Sequence, residues 1–302
     1  MNSLGTATTS AAAQGLASAA AGSVVPAAAG APSALRGHLH LVAAAVGGRQ
    51  TRVAHQSFCA PFHLGKPYWD GHVLQVQVVN STAGILAGDE LELDVAVGPG
   101  GSLSVTTPAA ARAFMMRSGA ALCRQRFAVA AGAWLEYLPE PLYPHRDTNY
   151  AQATRLELAA GASAFFVDQL APGRVGLGEC WAWHRLSLGL EVHLDSRLLL
   201  REQLDASGPE LGQLAGFYQM SEAWFANALV AAPGLAGDHP VLASIRALHR
   251  DGCLCGATAL APGVWMVRLV AATGLVLRDA LAELRGMLAP VLPGLQADHR
   301  KL

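Results

Sequence analysis

Residues 80–114 read NSTAGILAGDELELDVAVGPGGSLSVTTPAAARAF, and the way this stretch folds governs the reading of the remaining chain. Two glycine-marked turns, at 84–88 and 98–101, bracket a run in which Leu91, Leu93, Val95 and Val97 alternate with Glu90, Glu92, Asp94 and Ala96. Successive side chains of a strand point to opposite faces, so a period of two marks a strand with one face buried. A second strand-like run, 102–106, follows the second turn directly. A glycine loop that holds a nucleotide needs another context. A phosphate loop continues from its last glycine into Lys and Ser/Thr, whereas Asp89 and Glu90 follow Gly88, and their carboxylates would repel a triphosphate. A dinucleotide fingerprint opens a helix, and here a strand comes next. Gly84 and Gly88 therefore read as turn formers that allow close backbone approach.

Outward from this stretch the same period governs residues 36–206. It recurs in HVLQVQVV (72–79), WLEYL (134–138), TRLEL (154–158), AFFVDQL (164–170) and RLLLREQL (197–204), with Gly, Pro, Asn and Asp between the runs. Short strands separated by such punctuation suggest antiparallel sheet joined by hairpins. VAVGPGGSLSV (95–105), VAAGAWLEY (129–137) and LAAGASAFF (158–166) each read strand, glycine turn, strand, with Gly101, Gly132 and Gly161 spaced 31 and 29 residues apart. Near-constant spacing suggests stacked units. The expected fold is mainly β: stacked antiparallel hairpins in a β-superhelical scaffold, with a small α-helical portion near the C-terminus. Helices are expected near 239–250, where Val241, Leu242, Ile245 and Leu248 share a face, and near 274–289, capped by Thr273 and ended by Pro290. Two strands are expected around Pro262 and Gly263, and a strand over 213–230. Residues 1–35 are rich in Ala, Ser and Gly with no charge before Arg36, and read as a disordered extension to a single β-rich domain over 36–302.

Net charge is −1, from 21 Lys and Arg against 22 Asp and Glu, which argues against nucleic acid or an anionic membrane as partner. No run is long and apolar enough to span a bilayer. Only 14% of residues are charged and 52% are apolar, a balance that favours a chain covered by partners in a hetero-oligomer. Five scattered cysteines make no disulfide framework and suggest a reducing compartment.

Catalytic patterns are sparse. His38 and His40, two apart on a strand, share a face and are weak metal-ligand candidates, as are Cys253 and Cys255 in HRDGCLCG, close to His249. Each set lacks the further ligands of a structural zinc site. No nucleophile elbow is present, and Glu90 with Glu92 reads as a solvated strand face. A β-rich metal-dependent hydrolase using either pair and a purely structural β-scaffold stay open on residues alone.

Taken together and in order, several stretches resemble the urease accessory protein UreD (UreH) family. NSTAGILAGDELELDV is similar to its glycine-rich signature, and LSVTTPAAARAF to the segment that follows. WLEYLPEPLYPHRDTNYAQATRLELAAGA and PGRVGLGE, with Arg174 and Glu179, are similar to its later elements. Ala83 and Ala87 stand where the family has glycine, and Pro108, Arg112 and Phe114 where it more often has Gln, Lys and Tyr. The resemblance implies a cytoplasmic scaffold without catalysis of its own or a stably bound cofactor. It also implies docking of urease apoprotein, UreF and the GTPase UreG, and transient nickel passing through an internal channel. On that basis Asp89, Glu140, Asp168, Arg174 and Glu179 are the candidate channel or interface residues, with Gly84, Gly88, Gly173 and Gly178 as structural turns.

Overall fold

A computed structural model describes residues 34–47 and 50–299, so the extension expected over 1–35 falls, except for its last two residues, outside the described chain. The period of two gives strands where it runs. β1 (Arg36–Val46) and β2 (Gln50–Phe58) form a hairpin, and short β3 (Phe62–Leu64) and β4 (Tyr68–Asp70) lead to β5 (Val73–Asn80). Three rungs follow. β6 (Glu90–Val97) turns into β7 (Ser102–Thr106); after β8 (Ala111–Ala113), β9 (Ala121–Val129) turns into β10 (Trp134–Leu138). After β11 (Leu142–Pro144), β12 (Asn149–Leu158) turns into β13 (Ser163–Leu170). A two-strand clasp, β14 (Gly173–Arg174) and β15 (Glu179–Cys180), precedes the closing hairpin β16 (Arg185–Leu194) and β17 (Arg197–Ala206). Then come α1 (Gly208–Phe217), β18 (Trp224–Ala231), α2 (Val241–Arg246), β19 (Cys253–Ala261), β20 (Val264–Ala271) and α3 (Gly274–Leu288).

The strands make two large sheets. A seven-stranded sheet runs β17-β16-β12-β9-β6-β1-β2, and an eleven-stranded sheet is built on β19-β20-β18-β13-β10-β7-β5-β3. Within a rung the two strands do not pair. The arches at 98–101, 130–133 and 159–162 carry the chain from one sheet to the other, and equivalent strands of successive rungs stack in parallel. The mainly β, superhelical reading holds, but hairpin pairing is found at the ends of the stack and not inside it. The reason is in the arch backbone. Its N–H groups donate to the neighbouring rung, Ala130 to the Val97 carbonyl at 2.9 Å and Ala159 to that of Val129 at 2.9 Å, so the parallel ladder continues through the turns. The equivalent glycines are Gly100, Gly132 and Gly161, at φ of 67°, 68° and 78°, which shifts the first member of the repeat by one residue from Gly101.

In-register stacking sorts the side chains. Inward positions bring Val97, Val129 and Leu158 into one column and Leu103, Leu135 and Ala164 into another, and Phe127, Tyr137 and Phe166 fill the space between the sheets. Outward positions line up opposite charges, with Arg126 3.3 Å from Asp94 and 2.6 Å from Glu157. A second core covers the far face of the eleven-stranded sheet. There Leu277, Leu281, Leu284 and Leu288 of α3 join Trp265, Val267, Phe165 and Val230, and the Thr273 hydroxyl accepts the Val276 N–H at 3.2 Å.

The strand expected over 213–230 begins only at Trp224. Before it, Ser207 and Glu210 close a reciprocal capping box and Pro209 occupies the first turn, so 208–217 is helical with Leu211 and Ala215 inward. Among the described residues no helix is long and apolar enough to cross a membrane.

Candidate functional site

Moving from the arches toward the opposite end of the sandwich, the inward positions change chemistry. In β9 the inward series runs Val129, Phe127, Gln125, Cys123; in β12 it runs Leu158, Leu156, Thr154, Gln152, Tyr150. In the facing sheet, β13 goes from Phe166 to Asp168, and Asp168 lies in register with Asn227 of β18, itself in register with Arg268 of β20. β17 adds Glu202 opposite Leu190. Where bulky apolar groups give way to these shorter polar ones, the sheets enclose a cavity of about 550 Å³. Its walls also include the 107–112 segment and Glu140 at one side, and Leu214 and Tyr218 of the α1 region at another.

Most of the polar wall is satisfied internally. The Tyr150 hydroxyl donates to Gln152 Oε1 at 3.0 Å, the Gln152 amide to Thr154 Oγ1 at 3.3 Å, and the Thr154 hydroxyl to Gln125 Oε1 at 3.1 Å. Arg268 Nε donates to Glu202 Oε1 at 3.1 Å, while Glu202 Oε2 is buried without a hydrogen-bond partner among the described residues. Burial, and then the Glu202 carboxylate, push Asp168 up to about 7, so its proton exchanges near neutrality. Burial likewise raises Cys123 to about 11 and pushes Tyr137 and Tyr150 above the ordinary phenol range, which leaves these three as neutral hydrogen-bonding groups. The cavity thus presents Glu140, Asp168 and Glu202, with Glu202 Oε2 lacking a partner among the described residues, together with amide and hydroxyl groups in a mostly apolar wall. That donor set suits a hard or borderline divalent cation.

The five polar residues singled out from sequence divide between two settings. Asp168 and Glu140 both line the cavity. Asp89 does not: its buried carboxylate accepts the Leu35 N–H at 3.0 Å and the Leu86 N–H at 2.8 Å, tying the first strand to the 84–88 turn. Arg174 and Glu179 pair across the β14–β15 clasp, with Arg174 Nε at 2.9 Å and Nη2 at 2.7 Å from Glu179 Oε2. Those hydrogen bonds hold the Glu179 carboxyl below its ordinary value. Gly84 sits at the cavity wall, where a Cβ would collide with the Phe114 ring and the Arg112 carbonyl, and Gly88 has φ of 87°. Gly173 and Gly178 shape the clasp.

The weak metal candidates do not assemble into ligand sets, and among the described residues no group of three or more His, Cys, Asp or Glu side chains is placed to hold an ion. His38 and His40 share a face with ring centroids 5.0 Å apart, but His38 bonds to Ser57 and Cys59, and His40 turns toward Glu92. Cys253 is core, and the Cys255 thiol donates to the Ile245 carbonyl at 3.3 Å. Sequence reasoning missed Gln125, Gln152, Glu202, Asn227 and Arg268. Their signal was present as a polar residue on the apolar parity of a strand.

The structure defines a class before a family: a β-solenoid-like scaffold whose two sheets enclose a mostly apolar cavity that carries a few polar and acidic groups. The family model described as UreD urease accessory protein matches residues 35–302, and the chain belongs to that family. It is 51% identical over 269 residues to the urease accessory protein UreD of Opitutus terrae, covering 88% of this chain and 98% of that one. It is 29% identical over 252 residues to that of Pseudomonas putida strain GB-1, with 83% and 87% covered.

Proposed function

We propose that this chain serves urease maturation as a cytoplasmic, non-catalytic scaffold that docks urease apoprotein, UreF and the GTPase UreG, and that its inter-sheet cavity conveys the nickel(II) cargo. Membership of the UreD family and 51% identity to a urease accessory protein support the maturation role. The observation that carries the conveying role is that Asp168 and Glu202 line one cavity, with Glu202 Oε2 lacking a hydrogen-bond partner among the described residues; burial and the Glu202 charge raise the Asp168 carboxyl to about 7. A divalent cation entering the cavity displaces the Asp168 proton, gains a carboxylate and amide oxygens in exchange for part of its water, and leaves when the proton returns. A weak site with an exchangeable proton suits passage better than storage. Glu140 and the 107–112 segment form one wall where cargo is received or passed on.

Co-expression with urease apoprotein, UreF and UreG tests the reading. The chain is expected to copurify with them, and nickel-dependent urease activity is expected to require it. Undiminished activation in its absence overturns the proposal.

A further inference from the structure

Away from the cavity, the bend between β2 and β3 holds a thiol against an imidazole. Cys59 Sγ lies 3.1 Å from His38 Nδ1, and the other ring nitrogen of His38, Nε2, lies 2.9 Å from the Ser57 hydroxyl. The backbone locks this arrangement: the Cys59 N–H donates to the His38 carbonyl at 2.9 Å, and the Cys59 carbonyl accepts the Phe62 N–H at 3.0 Å. Cys59 is half-buried just beyond the end of β2, the edge strand of the seven-stranded sheet, and its thiol also faces the Arg36 carbonyl at 3.5 Å. The other four cysteines differ. Cys123 and Cys253 are buried, and burial raises the thiols of all four, Cys180 and Cys255 included.

We propose that Cys59 is a reversible thiol–disulfide exchange site for low-molecular-mass disulfides of the glutathione class, with His38 as its base and Ser57 as the group that orients the ring. When the Cys59 proton passes to Nδ1, both ring nitrogens become donors, and the two atoms they face, Cys59 Sγ and Ser57 Oγ, are both acceptors. That arrangement keeps both ring hydrogen bonds and gives up the one from the thiol to the Arg36 carbonyl. The thiolate attacks one sulfur of the disulfide, a new S–S bond forms to Cys59 as the old one breaks, and the departing thiolate takes up the proton held by His38. Cys59 sulfur is oxidised, the leaving sulfur is reduced, and no other oxidant is consumed. A second thiol reverses the step.

The test exposes the full chain to oxidised glutathione at neutral pH and follows adduct formation at each cysteine by peptide mass spectrometry. Cys59 is expected to react first, ahead of the half-buried Cys180 and Cys255. His38→Ala is expected to slow it by about tenfold or more with the far-ultraviolet circular dichroism unchanged, and His40→Ala to leave its rate alone. The preference of the wild-type chain for Cys59 is expected to vanish in urea, which reads the same geometry even where a variant fails to fold. Reaction of Cys59 no faster than Cys180, an unchanged rate in folded His38→Ala, or a preference that survives urea overturns the proposal.

Discussion

At the scale of single residues, the buried Glu136 and the half-buried Asp168 are shifted in opposite directions. Burial by itself would raise Glu136, but hydrogen bonds from His299 Nε2 at 2.8 Å and Arg285 Nε at 2.8 Å outweigh it and hold the carboxyl below its ordinary value. A depressed carboxyl stabilises the fold fully above the unfolded value near 4.5 and loses that contribution as pH falls toward the folded one. Arg285→Ala, which leaves the fully buried Glu136 without its guanidinium, is expected to cost about 3–5 kcal/mol in chemical denaturation at pH 7. A loss under ~1 kcal/mol would contradict the role given to this pair. Asp168 has the reverse sign. Its raised value means the folded chain holds the proton between about 3.8 and 7 where the unfolded chain releases it, so stability falls as pH rises through that window. Asp168→Asn, neutral at all pH, is expected to raise stability by roughly 1–3 kcal/mol at pH 8 and to change it little near pH 4, as read from paired melts. An equal effect at both pH values would contradict the raised value. Legibility at this scale follows parity. Asp168 enters through the family resemblance, whereas Gln125 in CRQRF passes for one more surface residue until the strand's facing is known.

At the scale of elements, the arches decide the fold. Alternation along 90–97 and 102–106 was readable, and so was the glycine turn between them, but a hairpin and an arch use the same signals. What separates them is whether the two strands pair with each other or with their copies in the next rung, and a non-local pairing leaves no local mark. The strand expected over 213–230 fails for the opposite reason: the Ser207–Glu210 capping box is a local signal that starts a helix at Gly208. Gly161 at φ 78° occupies the left-handed position of its arch with open space where a Cβ would stand, so Gly161→Ala is expected to cost about 1 kcal/mol through backbone strain alone. Equilibrium denaturation reads this directly, and a stabilised variant would contradict the arch assignment. In the clasp, Glu179→Ala removes the bidentate partner of Arg174, and is expected to raise protease cleavage near 174–180 while leaving the core melt within ~1 kcal/mol of wild type. Unchanged cleavage would contradict a holding role for this pair.

At the scale of the whole molecule, two sheets stacked by repetition leave their interior free to change character along one axis. Aromatic and aliphatic columns near the arches fix the spacing of the sheets, and the polar belt then lines the cavity that spacing leaves open. The scarcity of charge noted in the sequence has a structural counterpart. Many of the charged side chains form ladders on the outer face of the seven-stranded sheet, while the half-buried Asp168, Glu202 and Arg268 line the cavity. The measurement that tests the central claim most directly is nickel-dependent urease activity in cells co-expressing urease, UreF, UreG and either this chain or its Asp168→Ala,Glu202→Ala double variant. Copurification of the complex is followed in parallel. The expected result is an intact complex with activation reduced at least about tenfold. Full activation by a folded, copurifying double variant would contradict a conveying role for the cavity.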